Sequence, residues 1–391
     1  MSIRYLESAE HVKATVQKSL NLNLSTSKAL DISSCIIQGN RFFEAAIESP
    51  MVIKPLLTFY GMSALAKAVI LGRNNRNLAS LKSSHGVSDT TEKGSKLGQM
   101  TGRINPSGTL IEFNDVISQL DCFSYETKQN RFDILTPTAN SKAIENTKIK
   151  IHDIWSRCPS LGNDYKQIFN ANPNTIHVSI DVAYNSNDEK IVTVTPPKGT
   201  ETIDDVKALT DSLRSKLGFL SQLCLVESDS NGSYTTLTFS NFLPDSDEFN
   251  RLLAKSEIGH FKYDPYPKNY SDLYPLIEIN GVVPPISGGV SFSEQKYIEP
   301  IDGKIISEWT LMYIGAFLLS SYCRYRPNDW THATQSRISQ TRTLDDKAVA
   351  FIDSFLKRIL GDFPHFVTNA MNMKIPSEGN LIKRPHSNFW L

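Results

Sequence analysis

The sequence predicts an α+β protein in which helices from both ends of the chain form one body around a β-rich insertion. Apolar residues recur at helical spacing in the first 72 residues and again after residue 307. Between 175 and 300 the pattern changes to short alternating runs, which are typical of strands. This segregation of helices from strands indicates the α+β class. The expected division is a helical segment at 1–150, the β-rich insertion at 151–304 and a second helical segment at 305–391.

The N-terminal helical segment contains one unusually apolar helix. Residues 1–20 predict a modest amphipathic helix, and the signal becomes stronger over 40–72. There the run KPLLTFYGMSALAKAVIL is apolar nearly all round, so it predicts a buried central helix with Pro55 in its first turn. Small residues such as Gly61 allow a neighbouring helix to approach closely. Residues 73–104 are polar and rich in Gly and Ser, which predicts an exposed loop that can include a short helix.

The C-terminal segment contains a second apolar helix. It begins after Ser307, an N-cap residue type, and Glu308 follows in the first turn, where negative charge suits the helix dipole. Pro327 ends it. Because neither apolar helix can expose so wide an apolar surface, we expect the two helices to bury it against each other. A further amphipathic helix is predicted over 344–360, ended by Gly361, and a last helix is predicted to start in the segment FPHFVTNAMNM at 363–373.

The middle of the chain predicts about six short strands and one helix, at 204–217. The first two strands are separated by the turn-rich segment YNSNDE, which favours a hairpin. The predicted strands lie at 175–183, 190–195, 223–227, 234–239, 274–281 and 295–301.

Composition limits the classes of function. The chain has 391 residues, with 41 basic and 41 acidic side chains, so any nucleic-acid contact must come from a local patch. Its five cysteines are scattered without a CxxC spacing, which argues against zinc or disulfides and favours a reducing cytoplasm. The longest apolar run, 311–323, is shorter than the roughly 20 residues of a membrane span. We expect a cytoplasmic protein without a cofactor, metal or membrane partner.

Three segments together resemble the YaaC-like family of bacterial proteins. The first is the helix KPLLTFYGMSALAKAVIL, followed by His85-Gly86. The second is LMYIGAFLLSSYCRYRPNDW, whose Arg-Tyr-x-Pro-x-x-Trp pattern occupies 324–330. The third is Phe363-Pro364. The resemblance covers the helical frame, about half of the chain.

A more distant likeness is to the HEPN superfamily of helical-bundle proteins, many of which are metal-independent ribonucleases in defence and toxin systems. Their signature is an Arg followed, after four to six residues, by a His near the end of a bundle helix. Arg326 and His332 have this spacing. The likeness implies an HEPN-like helical bundle built from the two terminal segments, RNA as a partner, and a homodimer with two such motifs across its interface.

Arg326 and His332 are therefore the candidate catalytic residues. An imidazole, with an ordinary pKa of about 6.5, can act as general base on a 2′-hydroxyl or as acid to the leaving oxygen. A guanidinium binds the phosphate and stabilises its developing charge. The structural alternative is that Arg324 and Arg326 cap the carbonyls at the end of their helix, with Trp330 packed beneath them and His332 in a loop.

The candidate substrate-binding residues are His85, Arg324, Lys67 and Arg73. His85 can complete a phosphate site, or its loop can be structural, with Gly86 only supplying a positive φ. Lys67 lies inside an apolar helix, so it either pairs with a carboxylate such as Glu308 or extends its ammonium group to solvent. Arg73 belongs to a small basic cluster, which is typical of a phosphate contact or of a solvated surface.

Two hypotheses of different classes follow. In the first, the protein is a component of bacterial antiviral defence or stress response that cleaves or binds RNA through an Arg/His site. If catalytic, it is a metal-independent endoribonuclease of the HEPN type. In the second, it is a non-catalytic interaction or sensor subunit of a defence complex, and its helices are a scaffold. Convergence of His85, Arg326 and His332 on one accessible cleft would distinguish the two.

Overall fold

The computed structural model describes residues 2–118, 122–126, 131–135, 140–184, 190–195, 212–213, 224–230, 235–240, 274–275, 291–304, 306–334 and 345–372. The chain forms two compact units. The first contains residues 1–120, 139–174 and 306–375, and the second contains 121–138, 175–305 and 376–391. Residues on both sides of the segment 175–305 therefore contribute to the first unit.

The first unit is mainly helical. Its described α-helices are Ala9–Leu20 (α1), Thr26–Glu48 (α2), Lys54–Asn74 (α3), Thr109–Ser118 (α4), Ser141–Ile144 (α5), Ile151–Trp155 (α6), Gly162–Phe169 (α7), Glu308–Tyr325 (α8), Pro327–Thr334 (α9) and Asp345–Asn372 (α10). Short 3-10 turns lie at Ile3–Glu7, Leu78–Ser80, Leu97–Gln99 and Pro159–Leu161.

The described strands form three antiparallel sheets. In chain order they are Val87–Asp89 (β1), Thr101–Ile104 (β2), Cys122–Glu126 (β3), Arg131–Leu135 (β4), Lys148–Lys150 (β5), Thr175–Tyr184 (β6), Lys190–Thr195 (β7), Cys224–Ser230 (β8), Thr235–Ser240 (β9), Tyr274–Pro275 (β10) and Ser291–Ile298 (β11). The first unit has the sheet β1-β2-β5, and the second has β10-β3-β4 and β11-β6-β7-β9-β8. The α+β class is confirmed, and each strand predicted after residue 174 has a counterpart in β6–β11.

The core of the helical unit is built on α3. Gly39 of α2 and Gly61 of α3 face each other so closely that a side chain at Gly61 would collide with Phe43. On another side, the Phe59 ring meets the Tyr313 and Phe317 rings of α8 edge-on, each with centroids 5.4 Å apart. The predicted packing of the two apolar helices is confirmed.

Burial explains why α3 is so apolar. By length and composition it could cross a membrane, with a mean hydropathy of 1.4 over 18 residues, yet 78% of that window is buried inside the protein. It packs against α2, α4, α8 and α10. A helix covered on all these sides needs apolar residues all round.

Two local predictions are wrong. The loop expected at 73–104 contains β1 and β2, which pair in an antiparallel register. Strands of three and four residues are too short for alternation to be recognised. The helix expected to end at Gly361 continues as α10 through Gly361 and Pro364 to Asn372. Its residues Phe363 and Val367 are fully buried, and this packing outweighs the hydrogen bond that Pro364 cannot donate.

The start of the expected β-rich insertion also differs. Residues 151–174 lie in the first unit, where they include α6 and α7. The rings of Trp155 and Phe169 stack, and both approach Phe351 of α10, with centroids 5.4 Å from it. Aromatic packing therefore ties this segment to the helical body. The helix predicted at 204–217 lies outside the described residues except for 212–213.

Candidate functional site

His85 is carried by a loop that is attached to the start of α4. The Leu110 N–H donates a hydrogen bond to the His85 carbonyl oxygen over 3.0 Å. Gly86 has φ +81° and Gly108 has φ +126°, and a side chain at Gly108 would overlap the backbone of Gly86. Only glycine satisfies both the left-handed backbone and this close approach. The two glycines thus fix the position of His85.

The imidazole of His85 lies against an aromatic wall. Its ring meets Phe59 edge-on with centroids 4.9 Å apart, and the Phe317 ring centroid is 5.9 Å away. Burial lowers the pKa of His85 below its ordinary 6.5, and the positive charges of Arg324 and Lys67 lower this pKa further. The ring is therefore mainly neutral at pH 7, and three predicted binding residues lie close enough to interact.

Arg324 reaches α3 from the last turn of α8. Its Nη1 donates to the Tyr60 hydroxyl over 3.1 Å, and its guanidinium carbon lies 4.9 Å from the Tyr325 ring centroid. The Nε of Arg324 is buried and has no hydrogen-bond partner among the described residues. Arg324, Lys67 and His85 are called the cationic cluster below.

The cationic cluster has no described counter-charge. Where side chains are described, neither Lys67 nor Arg324 forms an ion pair within 4.0 Å. No acid contributes to the shifted pKa of His85. The described part of the chain also has no group of three or more His, Cys, Asp or Glu side chains that could hold a metal ion. The chemistry available here is thus the binding of an anion by cations and hydrogen-bond donors.

Glu308, which sequence offered as a partner for Lys67, has a different environment. Its side chain is fully buried at the start of α8. The Ser160 hydroxyl donates to its Oε1 over 3.2 Å, whereas its Oε2 has no hydrogen-bond partner in the described residues. Burial raises the pKa of Glu308 to about 7, although the charge of Arg358 and the Ser160 hydrogen bond act in the opposite direction. Glu308 therefore does not form the ion pair with Lys67 that the sequence suggested, and the side chain of Lys67 is half-buried.

Arg326 contacts the backbone of the loop after β1. Its Nη2 donates to the Thr91 carbonyl oxygen over 2.7 Å and its Nη1 to that of Glu92 over 3.2 Å. The guanidinium therefore joins the end of α8 to the loop after β1. The side chain of His332 lies outside the described residues, so the pairing of Arg326 with His332 stays a prediction.

Arg73 is buried against the end of α10. Only 8% of its surface is exposed, and its Nη1 donates to the Ala370 carbonyl oxygen in the last turn of α10 over 3.2 Å. Burial lowers the pKa of Arg73 to about 10. The structure thus brings Lys67, His85 and Arg324 together and buries Arg73 against α10.

Two tyrosines at the cluster were not among the predicted site residues. Tyr60 holds the guanidinium of Arg324, and its position two turns before Lys67 on the same helix was the available signal. Tyr325, the neighbour of Arg324, has 71% of its surface exposed. Its place inside the Arg-Tyr-x-Pro-x-x-Trp pattern was the corresponding signal.

Comparison with known proteins gives one match. A protein-family model described as YaaC-like Protein matches residues 4–371 of the chain. The match includes all three segments on which the sequence resemblance was based. No curated protein and no solved structure matches the chain.

Proposed function

The chain belongs to the YaaC-like protein family, and we propose that it is an RNA-binding member of that family. In this proposal the cationic cluster holds phosphate groups of a single strand. The supporting observation is that the charges of Arg324 on α8 and Lys67 on α3 both act on His85 in the loop before β1, whereas no described acid acts on it.

Phosphate suits this cluster for three reasons. A guanidinium and an ammonium bind phosphate oxygens with charge-assisted hydrogen bonds. The buried Nε of Arg324 has no acceptor among the described residues, so no described group there offsets the charge of the guanidinium. A neutral His85 can donate one N–H, and a nearby phosphate favours its protonation. The zero net charge of the chain fits a local contact of this kind.

RNA cleavage is the catalytic form of the proposal. Arg326 and His332, at the spacing of HEPN-type ribonucleases, would then act on a strand held by the cluster, within an HEPN-like helical frame and in antiviral defence or stress response. The imidazole would transfer the proton of the 2′-hydroxyl, and the guanidinium would stabilise the phosphate. A homodimer and a defence-complex partner belong to the same proposal.

One observation favours a second candidate, a non-catalytic interaction or sensor subunit. The guanidinium of Arg326 already donates to two backbone carbonyl oxygens, those of Thr91 and Glu92. A guanidinium in this position stabilises the fold without a substrate. In this alternative the helical unit is a scaffold.

Binding is tested by fluorescence anisotropy with a labelled single-stranded RNA. We expect Arg324→Ala and Lys67→Ala each to weaken binding about tenfold, because each removes one charge-assisted phosphate contact. The matched control is Arg41→Ala, which removes an exposed arginine of α2 that pairs with Glu44. Loss of a contact should also reduce the slope of log affinity against log salt by about 0.7. Equal binding by all variants, or no binding by the wild type, contradicts the proposal.

Cleavage is tested on the same RNA in EDTA, with the wild type, Arg326→Ala and His332→Ala. Loss of cleavage in both variants, with unchanged circular dichroism spectra, supports the catalytic form. If the wild type binds the RNA but does not cleave it, the catalytic form of the proposal is wrong and RNA binding stands. Absence of both activities favours the scaffold alternative.

A further inference from the structure

The end of α8 carries an exposed aromatic ring beside the cationic cluster. The guanidinium carbon of Arg324 lies 4.9 Å from the Tyr325 ring centroid and 5.8 Å from that of Tyr60. The Tyr60 ring stacks on Phe42 of α2, with centroids 5.7 Å apart and an interplanar angle of 29°. These contacts form a series, Phe42–Tyr60–Arg324–Tyr325, that begins in the helical body and ends at the surface.

The other large side chains of this segment are used inside the fold. The Trp330 indole N–H and the Cys323 thiol both donate to the Val52 carbonyl oxygen, over 3.0 and 2.8 Å. Arg326 donates to backbone carbonyls, as described above. Tyr325 differs, because 71% of its surface is exposed. None of the packing contacts of Trp330, Cys323 and Arg326 described above requires an aromatic ring at Tyr325.

The neighbouring charges indicate what covers the ring. An apolar protein surface placed on Tyr325 would also bury the charge of Arg324, which has no ion pair among the described residues, and such burial is unfavourable without an acid. A nucleotide offers a flat base for the ring and a phosphate for the guanidinium within one ligand. Aromatic rings and Arg planes are also the surfaces on which bases of single-stranded RNA stack.

We propose that Tyr325 stacks a nucleobase of single-stranded RNA while Arg324 holds the adjacent phosphate. This inference rests on the proposed function and names its ligand more closely. Stacking on one ring is tolerant of base identity, so the site selects a single strand rather than a sequence. A duplex is a poorer ligand because its bases are already stacked and paired.

The test separates stacking from charge by using two probes, a labelled oligouridylate and inorganic polyphosphate as a competitor. We expect Tyr325→Ala to weaken oligouridylate binding about tenfold and to leave the inhibition constant of polyphosphate within twofold. Tyr325→Trp should retain or strengthen oligouridylate binding. Arg324→Ala should weaken both probes. Because the Tyr325 side chain is exposed, Tyr325→Ala and Tyr325→Trp should melt at the temperature of the wild type.

Each result bears on one of the two proposals. If Tyr325→Ala binds oligouridylate like the wild type while Arg324→Ala does not, base stacking is wrong and RNA binding stands. If Tyr325→Ala weakens both probes equally, the ring only positions Arg324, and base stacking is again wrong. If the wild type binds neither probe, the proposed function itself fails.

Discussion

The two ends of helix α8 carry opposite charges in opposite surroundings. At its N-terminal end Glu308 is fully buried, with one carboxylate oxygen near Ser160 and the other without a described partner. At its C-terminal end Arg324 lies near the surface beside Lys67 and His85. Both charges agree with the helix dipole, which favours an acid at the N-terminus and a base at the C-terminus. The dipole therefore does not distinguish the two ends.

Access to solvent does distinguish them. A buried carboxylate without full hydrogen bonding is unfavourable when ionised, so the protein holds Glu308 partly protonated near pH 7. Arg324 is only half-buried, so water solvates part of its guanidinium, which can remain charged without an ion pair among the described residues. The same kind of unsatisfied charge thus acts on stability at one end and is available for binding at the other.

The largest expected effect is that of reversing the charge at each end. Glu308→Lys places an ammonium in a closed site that Arg358 already faces, so we expect a loss of at least about 4 kcal/mol in the free energy of unfolding. Arg324→Glu is the matched reversal, and it should change that free energy by less than about 1 kcal/mol. Urea denaturation measures both. Similar losses in the two variants would remove the contrast between the ends.

The next effect is a dependence of stability on pH at the buried end. The folded protein raises the pKa of Glu308 from its ordinary 4.5 to about 7, so it binds this proton more tightly than the unfolded chain does. The stability that this proton provides is complete below pH 4.5 and is lost as pH rises through 7. Its total size is about 3 kcal/mol.

Glu308→Gln isolates this contribution, because the amide keeps the shape of the side chain and does not titrate. We expect the free energy of unfolding of wild type minus variant to fall by about 3 kcal/mol between pH 4.5 and pH 8. Glu48→Gln, at an exposed acid of α2, is the control for the same chemical change. A constant difference across this range would show that folding does not raise the pKa of Glu308.

The sequence predicted the frame of α8 better than its chemistry. Ser307 and Pro327 identified its ends because capping and proline effects are local. The cluster could not be derived, since Lys67, His85 and Arg324 meet only when α3, the loop before β1 and α8 pack together. Each residue, like Arg73, was selected from its own chemistry. Only the packing shows that Lys67, His85 and Arg324 are half-buried whereas Arg73 is buried.

The contrast between local sequence patterns and contacts made only by packing also explains which strands and helix ends were not predicted. The strands β6 and β7 are ten and six residues long, long enough for alternation to be visible. By contrast, β1 has only three residues. It is recognisable as a strand only through its pairing with residues 102–104 of β2, which lie about a dozen residues further along the chain. The continuation of α10 through Pro364 likewise depends on the burial of Phe363 and Val367, which local propensity does not report.

A smaller effect should come from the hydrogen bonds at each end. The Ser307 hydroxyl accepts the Thr310 N–H over 3.1 Å in a buried N-cap, so Ser307→Ala should cost about 1 kcal/mol of unfolding free energy. Tyr60→Phe removes the hydroxyl that accepts from Arg324 and should cost less than about 1 kcal/mol, because water can replace it. Thermal or urea denaturation compares the two, and a larger loss in Tyr60→Phe would contradict the proposed difference in solvent access.

The smallest effect is electrostatic and concerns His85 alone. Burial lowers its pKa first, followed by the charges of Arg324 and then Lys67. Of these two charges, that of Arg324 has the larger effect on His85. Arg324→Gln removes it, so the pKa of His85 should rise toward its ordinary value. A pH titration of the imidazole C–H resonances by NMR measures it, with His85→Gln identifying the signal and Arg41→Gln as the control for a distant charge. Saturating oligouridylate should raise this pKa in the wild type more than in Arg324→Gln, since a phosphate held beside the ring favours the imidazolium. An unchanged pKa in Arg324→Gln would mean that the guanidinium and the imidazole do not share one site.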